Sequence, residues 1–389
     1  MKGIAITSIG IEDAAVSELS DFGASSIVSH KGAVLFDVKK IEDLAHLAYT
    51  CQSADRILLH LCDFSFSNIQ SELKGKIASM DFPAPLISPK MTFRVTCQRR
   101  GEHDFTSASL EPLIGDEVFS CLKERGVSLE VDLHHPDLIF YLSIVDDKAV
   151  FGIDFTGFDA SKRDYKIFLT PVSIKGTLAF GLLKYAGYEK KHELLDPFVN
   201  DGAIIIEAAL FSSNKPVHFY RKDKFGFLKL KPFKDVDPSD LFASLDKRIK
   251  KEKVAVTGYD AAFQYVDYGK KNAKIAGVEK IIYLSRVESE WLDIKHEKKT
   301  VDRIVTKIPE PSRKLLSKDI EKLQGELFYQ AEYILKDNGR VGLICRDLSS
   351  LEKHYSKYGF IVEKRKDVFM GEQKMVMAVL VKGEKLVSN

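Results

Sequence analysis

Apolar positions along the chain recur with period two and with period 3.6 in alternating blocks, and the alternation predicts its elements. GIAITSI near the start reads as a strand, and EDAAVSELSDFG as a helix stopped by Gly23. GAVLFDV reads as a second strand, with Val34 and Phe36 on one face and Leu35 on the other. IEDLAHLAYTCQSADR carries the stripe of an amphipathic helix, and ILLHLCDF follows as a third strand. Residues 1–64 thus predict a small α+β unit. Residues 65–158 predict another. NIQSELKGKIASM is its first helix, and TFRVTCQRR a strand with Phe93, Val95 and Cys97 facing in and Thr92, Arg94 and Thr96 facing out. SLEPLIGDEVFSCLKERG is a second helix, with Leu110, Leu113, Ile114, Val118 and Leu122 on its apolar face. DLIFYLSIVDDKAVFGIDF reads as a hairpin around Asp146-Asp147.

A break at Gly157, Asp159 and Ser161 opens a basic linker over residues 159–175, and SIKGTLAFGLLKYAG resumes as a helix. From there to the end, strand and helix patterns alternate, which predicts a doubly wound sheet over residues 176–389. HELLDPF, KVAVTGYD, KIIYLS, VDRIVTKI and GRVGLICR are its strands, and a hairpin near 359–382 closes it. Apolar runs suit strands buried on both faces. The stretch LLDPFVNDGAIIIEAAL then stands out. A strand end, a turn with Gly202 and a helix opening near Ala203 form the order that an α/β ligand crevice needs. An ordinary βα turn has the same look, because one glycine is a weak fingerprint.

Composition narrows the classes. The 389 residues suffice for two or three domains, and 45% hydrophobic with 29% charged residues is a soluble globular balance. The sequence has no apolar run of 18 residues and no signal-like start, so neither a membrane span nor export is expected. Five cysteines without a CxxC pair fit reduced thiols in the cytoplasm and argue against a zinc site. A net charge of +2 says nothing about nucleic acid, so only local clusters count. One cluster is Arg94, Arg99, Arg100 and His103, with Ser107 and Ser109 nearby, a set suited to phosphate oxygens. Composition alone favours a solvated loop there. Another is SSNKPVHFYRKDKFGFLKLKPFKD, where Arg221, Lys222 and Lys224 interleave with aromatics. Aromatics stack on splayed bases while cations neutralise phosphate. A surface insertion pinned by its aromatics is the equal alternative.

These stretches resemble a known family. TFRVTCQRRGEHDFTSASLEPLIGDEVF and HHPDLIFYLSIVDDKAVFGIDFTG are similar to the start and end of a THUMP domain, and GIAITSIGIEDAAVSELSDFGA to the ferredoxin-like domain that precedes it in one group of methyltransferases. The C-terminal half resembles the Rossmann-like methyltransferases of that group, which act on tRNA or rRNA with S-adenosylmethionine. The resemblance implies a ferredoxin-like domain over 1–64, a THUMP RNA-binding domain over 65–158, the linker, and a methyltransferase domain with a late antiparallel strand. It also implies that the linker stretch Arg163…Leu169-Thr170-Pro171…Lys175 lines the cofactor pocket.

Carried over position by position, the family's D-P-F-C-G-S-G-T keeps Asp196, Pro197, Phe198 and Gly202, with Val199, Asn200, Asp201 and Ala203 in the other places. Asn200 tolerates a glycine's backbone, and Asp201 adds a negative charge by the expected place of the methionine carboxylate. Asp260, after a strand, matches the acid that binds ribose hydroxyls. Asn272-Ala273 and Ala276-Gly277 match the helix that follows. Val287 stands where an aspartate meets the adenine amine, with Glu288 next to it. The acceptor motif D-x-I-V-x-N-P-P-Y-G reads here Asp302-Arg303-Ile304-Val305-Thr306-Lys307-Ile308-Pro309-Glu310-Pro311. In the family, the asparagine and a proline carbonyl accept an exocyclic amine's hydrogens while the aromatic stacks on the base. Lys307 can only donate and Glu310 cannot stack; Pro309 is kept. The expectation is therefore an RNA-binding protein, with tRNA as ligand and methyl transfer impaired or lost, serving as an RNA chaperone or as partner of an active modification enzyme. The alternative is an active tRNA guanine-N-methyltransferase with an unusual acceptor loop.

Overall fold

Strand pairing in the computed structural model, which describes residues 1–80, 82–310 and 317–383, gathers the chain into two units. The first takes Met1–Thr7, Ala15–Ala160 and His218–Lys247; the second takes Ser8–Ala14, Ser161–Val217 and the chain from Arg248 onward. No helix among the described residues is long and apolar enough to cross a membrane.

In the first unit, β1 (Lys2–Thr7), β2 (Ser25–His30), β3 (Ala33–Asp37), β4 (Ala54–Ser65), β5 (Thr92–Arg100), β6 (Glu130–Val131), β7 (Leu138–Val145) and β8 (Lys148–Asp154) form one sheet in the order β2-β3-β1-β4-β8-β7-β5-β6. The expected boundary at 64/65 is not a boundary of this sheet. β4 pairs with β1 through Ala54–Leu59 and with β8 through Leu58–Ser65, so one long strand serves both halves. The two-sided reading of β3 holds. Val34 and Phe36 are buried in the large core, and Leu35 in a smaller cluster with Ile4, Ile6 and Leu58. β2 escaped the sequence reading because SSIVSH is polar and mostly exposed, as an edge strand can be. Leu113 also departs from expectation: it is exposed, while Leu110, Ile114, Val118 and Leu122 are buried.

The basic, aromatic stretch after residue 217 belongs to this unit. Phe225, Phe227, Phe233 and Phe242 are buried in its core, and the Phe242 ring stacks on Tyr49 at 3.9 Å. Gly157, at φ +81, and Gly226 make the docking possible: a Cβ on Gly157 would stand 2.6 Å from the Gly226 nitrogen. The Phe227 amide then bonds the Phe155 carbonyl at 3.1 Å. The aromatics therefore pin an insertion, and among the large rings Tyr220 stays exposed.

In the second unit, β9 (Leu194–Asp196), β10 (Val256–Asp260), β11 (Tyr283–Arg286), β12 (Val301–Lys307), β13 (Leu335–Cys345), β14 (Phe360–Met370) and β15 (Gln373–Lys382) form a sheet in the order β11-β10-β9-β12-β13-β15-β14. The pairs from β11 to β13 are parallel, and β15 runs antiparallel between β13 and β14. β9 sits centrally with β10 and β12 on its two sides, which makes its carboxyl end the switch point of the sheet, where α/β proteins bind ligands. The helix Ala203–Ser212 that follows β9 is apolar all round and nearly wholly buried, so its one charge, Glu207, needs a partner inside the protein.

Candidate cofactor crevice and acceptor loop

The turn from Asp196 to Gly202 is held by its own side chains. Asp196 is 1% exposed, and its Oδ1 accepts the Thr306 hydroxyl at 2.6 Å and the Phe198 amide at 3.1 Å. That tie fastens β9 to β12, and burial pushes the carboxyl up to about 7. Asn200 adopts φ +53, the left-handed conformation a glycine would supply, and its Nδ2 donates to the Phe198 carbonyl at 2.7 Å. Val199 fits because Gly258 and Gly269 leave room: a Cβ on Gly258 would fall 2.3 Å from the Val199 side chain. Gly202, at φ +85, opens the helix, and a Cβ there would stand 3.1 Å from the Gly269 Cα.

Asp260 ends β10 beside this turn. Its Oδ2 accepts the Asn200 amide and its Oδ1 the Ala262 amide, both at 3.0 Å, and burial raises its carboxyl to about 6. Each carboxylate oxygen keeps a free lone pair, so the group still has capacity for ribose hydroxyls. Glu288 lies at the surface past β11, while Val287 is buried in the core and its amide bonds the Asp260 carbonyl at 3.2 Å.

The linker proves to be a strap fastened at several points. Arg163 donates to Glu207 through Nε at 2.8 Å and Nη2 at 3.2 Å, and the Tyr165 hydroxyl adds a bond at 2.7 Å. Gly176 is required beside this pair, because a Cβ would fall 2.6 Å from the Arg163 side chain. Lys166 pairs with Asp201 at 3.1 Å, and Ser173 also donates to that carboxylate. The negative charge expected of Asp201 is thus neutralised within the chain. Asn272, wholly buried, uses all four of its hydrogen-bonding positions. Its Oδ1 accepts the amides of Ile167 and Phe168, and its Nδ2 donates to the carbonyls of Phe168 and Asp201. Sequence reasoning gave Lys166 and Asn272 no role. The signal available was the pair of buried acids, Asp201 and Glu207, which demand cations from somewhere.

At the acceptor loop each named residue is already partnered. Lys307, ending β12 and 7% exposed, donates to the Val172 carbonyl at 2.8 Å, and burial pushes its pKa down. The Pro309 carbonyl accepts the Gln324 side-chain amide at 3.2 Å. Glu310 accepts the Arg346 amide at 2.8 Å and pairs with its Nε at 2.9 Å. Pro311 lies outside the described residues. Among the described residues, no group of three or more His, Cys, Asp or Glu side chains could hold a metal.

The expected RNA-contacting residues all fall in the first unit, in separate places. Arg94 and Arg100 stand six residues apart on β5, roughly 20 Å at the strand rise. Arg94 donates to the Leu133 carbonyl at 3.2 Å. Arg99 meets His103 at 3.4 Å, and His103 in turn meets the Asp146 carbonyl at 2.7 Å. In the insertion, the Arg221 guanidinium lies 4.6 Å over the Phe158 ring, Lys222 pairs with Asp246, and Lys224 pairs with Asp223 at the surface.

Comparison with known proteins places this geometry. Residues 163–377 match the UPF0020 family model, an RMKL-like methyltransferase domain, over more than half of the chain. The chain belongs to that methyltransferase family. Residues 72–154 match the THUMP domain, within the expected 65–158. Over 372 residues the chain is 28% identical to a tRNA (guanine(6)-N2)-methyltransferase of Methanocaldococcus jannaschii, covering 93% of this chain and 95% of that one. It is 32% identical over 213 residues to a protein of the same name from Archaeoglobus fulgidus, covering 53% of each. The fold is shared with a putative methyltransferase, SMU.472, crystallised with S-adenosylhomocysteine (TM-score 0.79, 21% identity, 99% of this chain and 98% of that one). It is shared also with TrmN of Thermus thermophilus (TM-score 0.68, 23% identity, 98% and 99%). The family is S-adenosylmethionine-dependent, and the residues around the crevice fit that group: a left-handed turn close to the helix start, and a carboxylate with spare lone pairs at the end of β10.

Proposed function

We propose that this chain binds tRNA and methylates the exocyclic N2 amine of a guanosine, using S-adenosylmethionine. The observation that carries the reading is the match to a tRNA (guanine(6)-N2)-methyltransferase over nearly the full length of both chains. It replaces the expectation of lost catalysis as the first reading, and nothing in the comparisons supports doubt about the cofactor. When bound, the cofactor supplies a methyl group made electrophilic by its sulfonium. The chain's part is placement. Asn200 and Gly202 bring bare backbone to the ligand, Asp260 accepts the ribose hydroxyls, and the strap from Arg163 to Lys175 forms a wall. At the acceptor side, Glu310 released from Arg346 accepts a hydrogen from the guanine amine, which frees the nitrogen's lone pair for attack. Arg99, Arg100 and the cations of the insertion grip phosphates on the RNA.

One observation favours a second reading, an RNA-binding protein without methyl transfer. Lys307, the Pro309 carbonyl and Glu310 all spend hydrogen bonds inside the chain. Incubation with tRNA and labelled S-adenosylmethionine, followed by nucleoside analysis, separates the two. The first reading expects labelled N2-methylguanosine, lost in Glu310→Gln. Tight tRNA binding with no label in any nucleoside overturns it and establishes the second.

A further inference from the structure

Lys307 occupies a place of chemical consequence that the methyltransferase reading does not use. Its side chain reaches from the end of β12 to the strap, where the ammonium donates to the Val172 carbonyl at 2.8 Å. Together with Val172, Ile174, Asp196, Asn200 and Asp201 it lines a cavity of only about 10 Å³ between strap and turn. That is the room of about one water, against the roughly 300–1,000 Å³ of a typical small-molecule site. A shorter side chain at this position leaves a gap between Val172 and the turn; lysine is long enough to close it.

The closure is weak by construction. An ammonium has three hydrogens to donate. The Val172 carbonyl is its one hydrogen-bond acceptor among the described residues, and the side chain is 7% exposed. Asp201, a carboxylate of the same cavity lining, already holds Lys166 and Ser173. A buried, under-satisfied ammonium is costly to keep and easy to move back to water.

We propose that Lys307 is the residue that sets cofactor affinity in this chain. Its ammonium, clasped by Val172, competes with the ligand's amino-acid end for the floor of the crevice and leaves when the ligand enters. The inference rests on the reading that the crevice takes S-adenosylmethionine, and it is tested without RNA.

Calorimetric titration of the full chain with S-adenosylhomocysteine compares the wild type with Lys307→Asn and Lys307→Ala, each checked for folding by its thermal transition. Both variants are expected to bind about tenfold more tightly, the equivalent of about 1.4 kcal/mol. Equal or weaker binding in folded variants overturns the inference while leaving the methyltransferase reading standing. Absence of binding in all three proteins overturns both. A second measurement needs no variant: acetylation of Lys307 by an amine-reactive ester, followed by peptide mass spectrometry. Saturating S-adenosylhomocysteine is expected to speed labelling of Lys307 severalfold, and unchanged or slower labelling refutes the displacement.

Discussion

The buried pair Arg163–Glu207 offers the most direct test of the strap. Glu207 is wholly buried in the middle of the helix that follows the crevice turn, and Arg163 is 4% exposed. Two guanidinium bonds and the Tyr165 hydroxyl surround the carboxylate. Removing one partner of such a pair costs about 3–5 kcal/mol, because the other charge stays buried without compensation. Replacing both with apolar side chains of similar volume is often neutral. Glu207→Leu and Arg163→Met are therefore each expected to destabilise the second unit by about 3–5 kcal/mol. The double variant still leaves the buried Tyr165 hydroxyl without the Glu207 acceptor, so it should lose about 1–3 kcal/mol, well short of the two singles together, a coupling of about 3 kcal/mol or more between the sites. The assay is built into the chain. Its single tryptophan, Trp291, lies in the second unit, so its emission during urea unfolding follows that unit. A single variant that costs under about 1 kcal/mol would refute the claim that this pair fastens the strap. So would a double variant that loses as much as the two singles together.

Two further outcomes follow from the same crevice. Asp196 titrates near 7 in the folded chain, against an ordinary value of about 3.9. Between those values the folded form holds more protons than the unfolded one, so this group's stabilisation is complete below about pH 4 and is lost as pH rises through 7. Across that gap of about 3 pH units the loss amounts to about 4 kcal/mol, and Asp196→Asn should flatten urea-unfolding stability over the same range; an unchanged slope would count against it. Asn272→Leu strands the amide of Phe168 and the carbonyls of Phe168 and Asp201, whereas the Ile167 amide keeps the Tyr165 carbonyl at 3.0 Å. Each stranded group costs about 1–3 kcal/mol, so hydrogen exchange at Phe168 should speed at least about tenfold. Exchange rates equal to wild type would mean that Asn272 does not anchor the strap.

Much of the architecture was legible because it depends on periodicity. The parallel strands, the closing hairpin around Gly371 and the alternation in β5 all announce themselves as apolar runs with the right period. What escaped were features set by partners remote in sequence. β2 is a polar edge strand whose pattern carries no burial signal, and it exists because β3 offers it a ladder. Residues 64 and 65 lie inside one strand, because β4 is long enough to pair on both edges. The insertion's phenylalanines suited stacked bases and a core equally well. Composition has no way to tell these apart; the close approach of Gly157 to Gly226 decides for the core.

The crevice divides along the same line. Asp196, Gly202 and Asp260 were legible because a strand end, a left-handed turn and a helix start impose local demands on residue type. Lys307 was legible only as a departure from a pattern. Read alone, a lysine in an asparagine's place signals a lost acceptor. In the fold the same lysine reaches past the acceptor position to the Val172 carbonyl, 135 residues earlier in the chain. A substitution's chemistry thus depends on length as well as on donor and acceptor character. Asparagine ends near the strand, whereas lysine carries its charge several ångströms farther, into the floor of the crevice. A loss of orienting power and a gain of occupancy are separate consequences of one change. In the proposed reaction the first would act on the base and the second on the affinity for the methyl donor, so cofactor titration and nucleoside analysis report on different halves of the same residue.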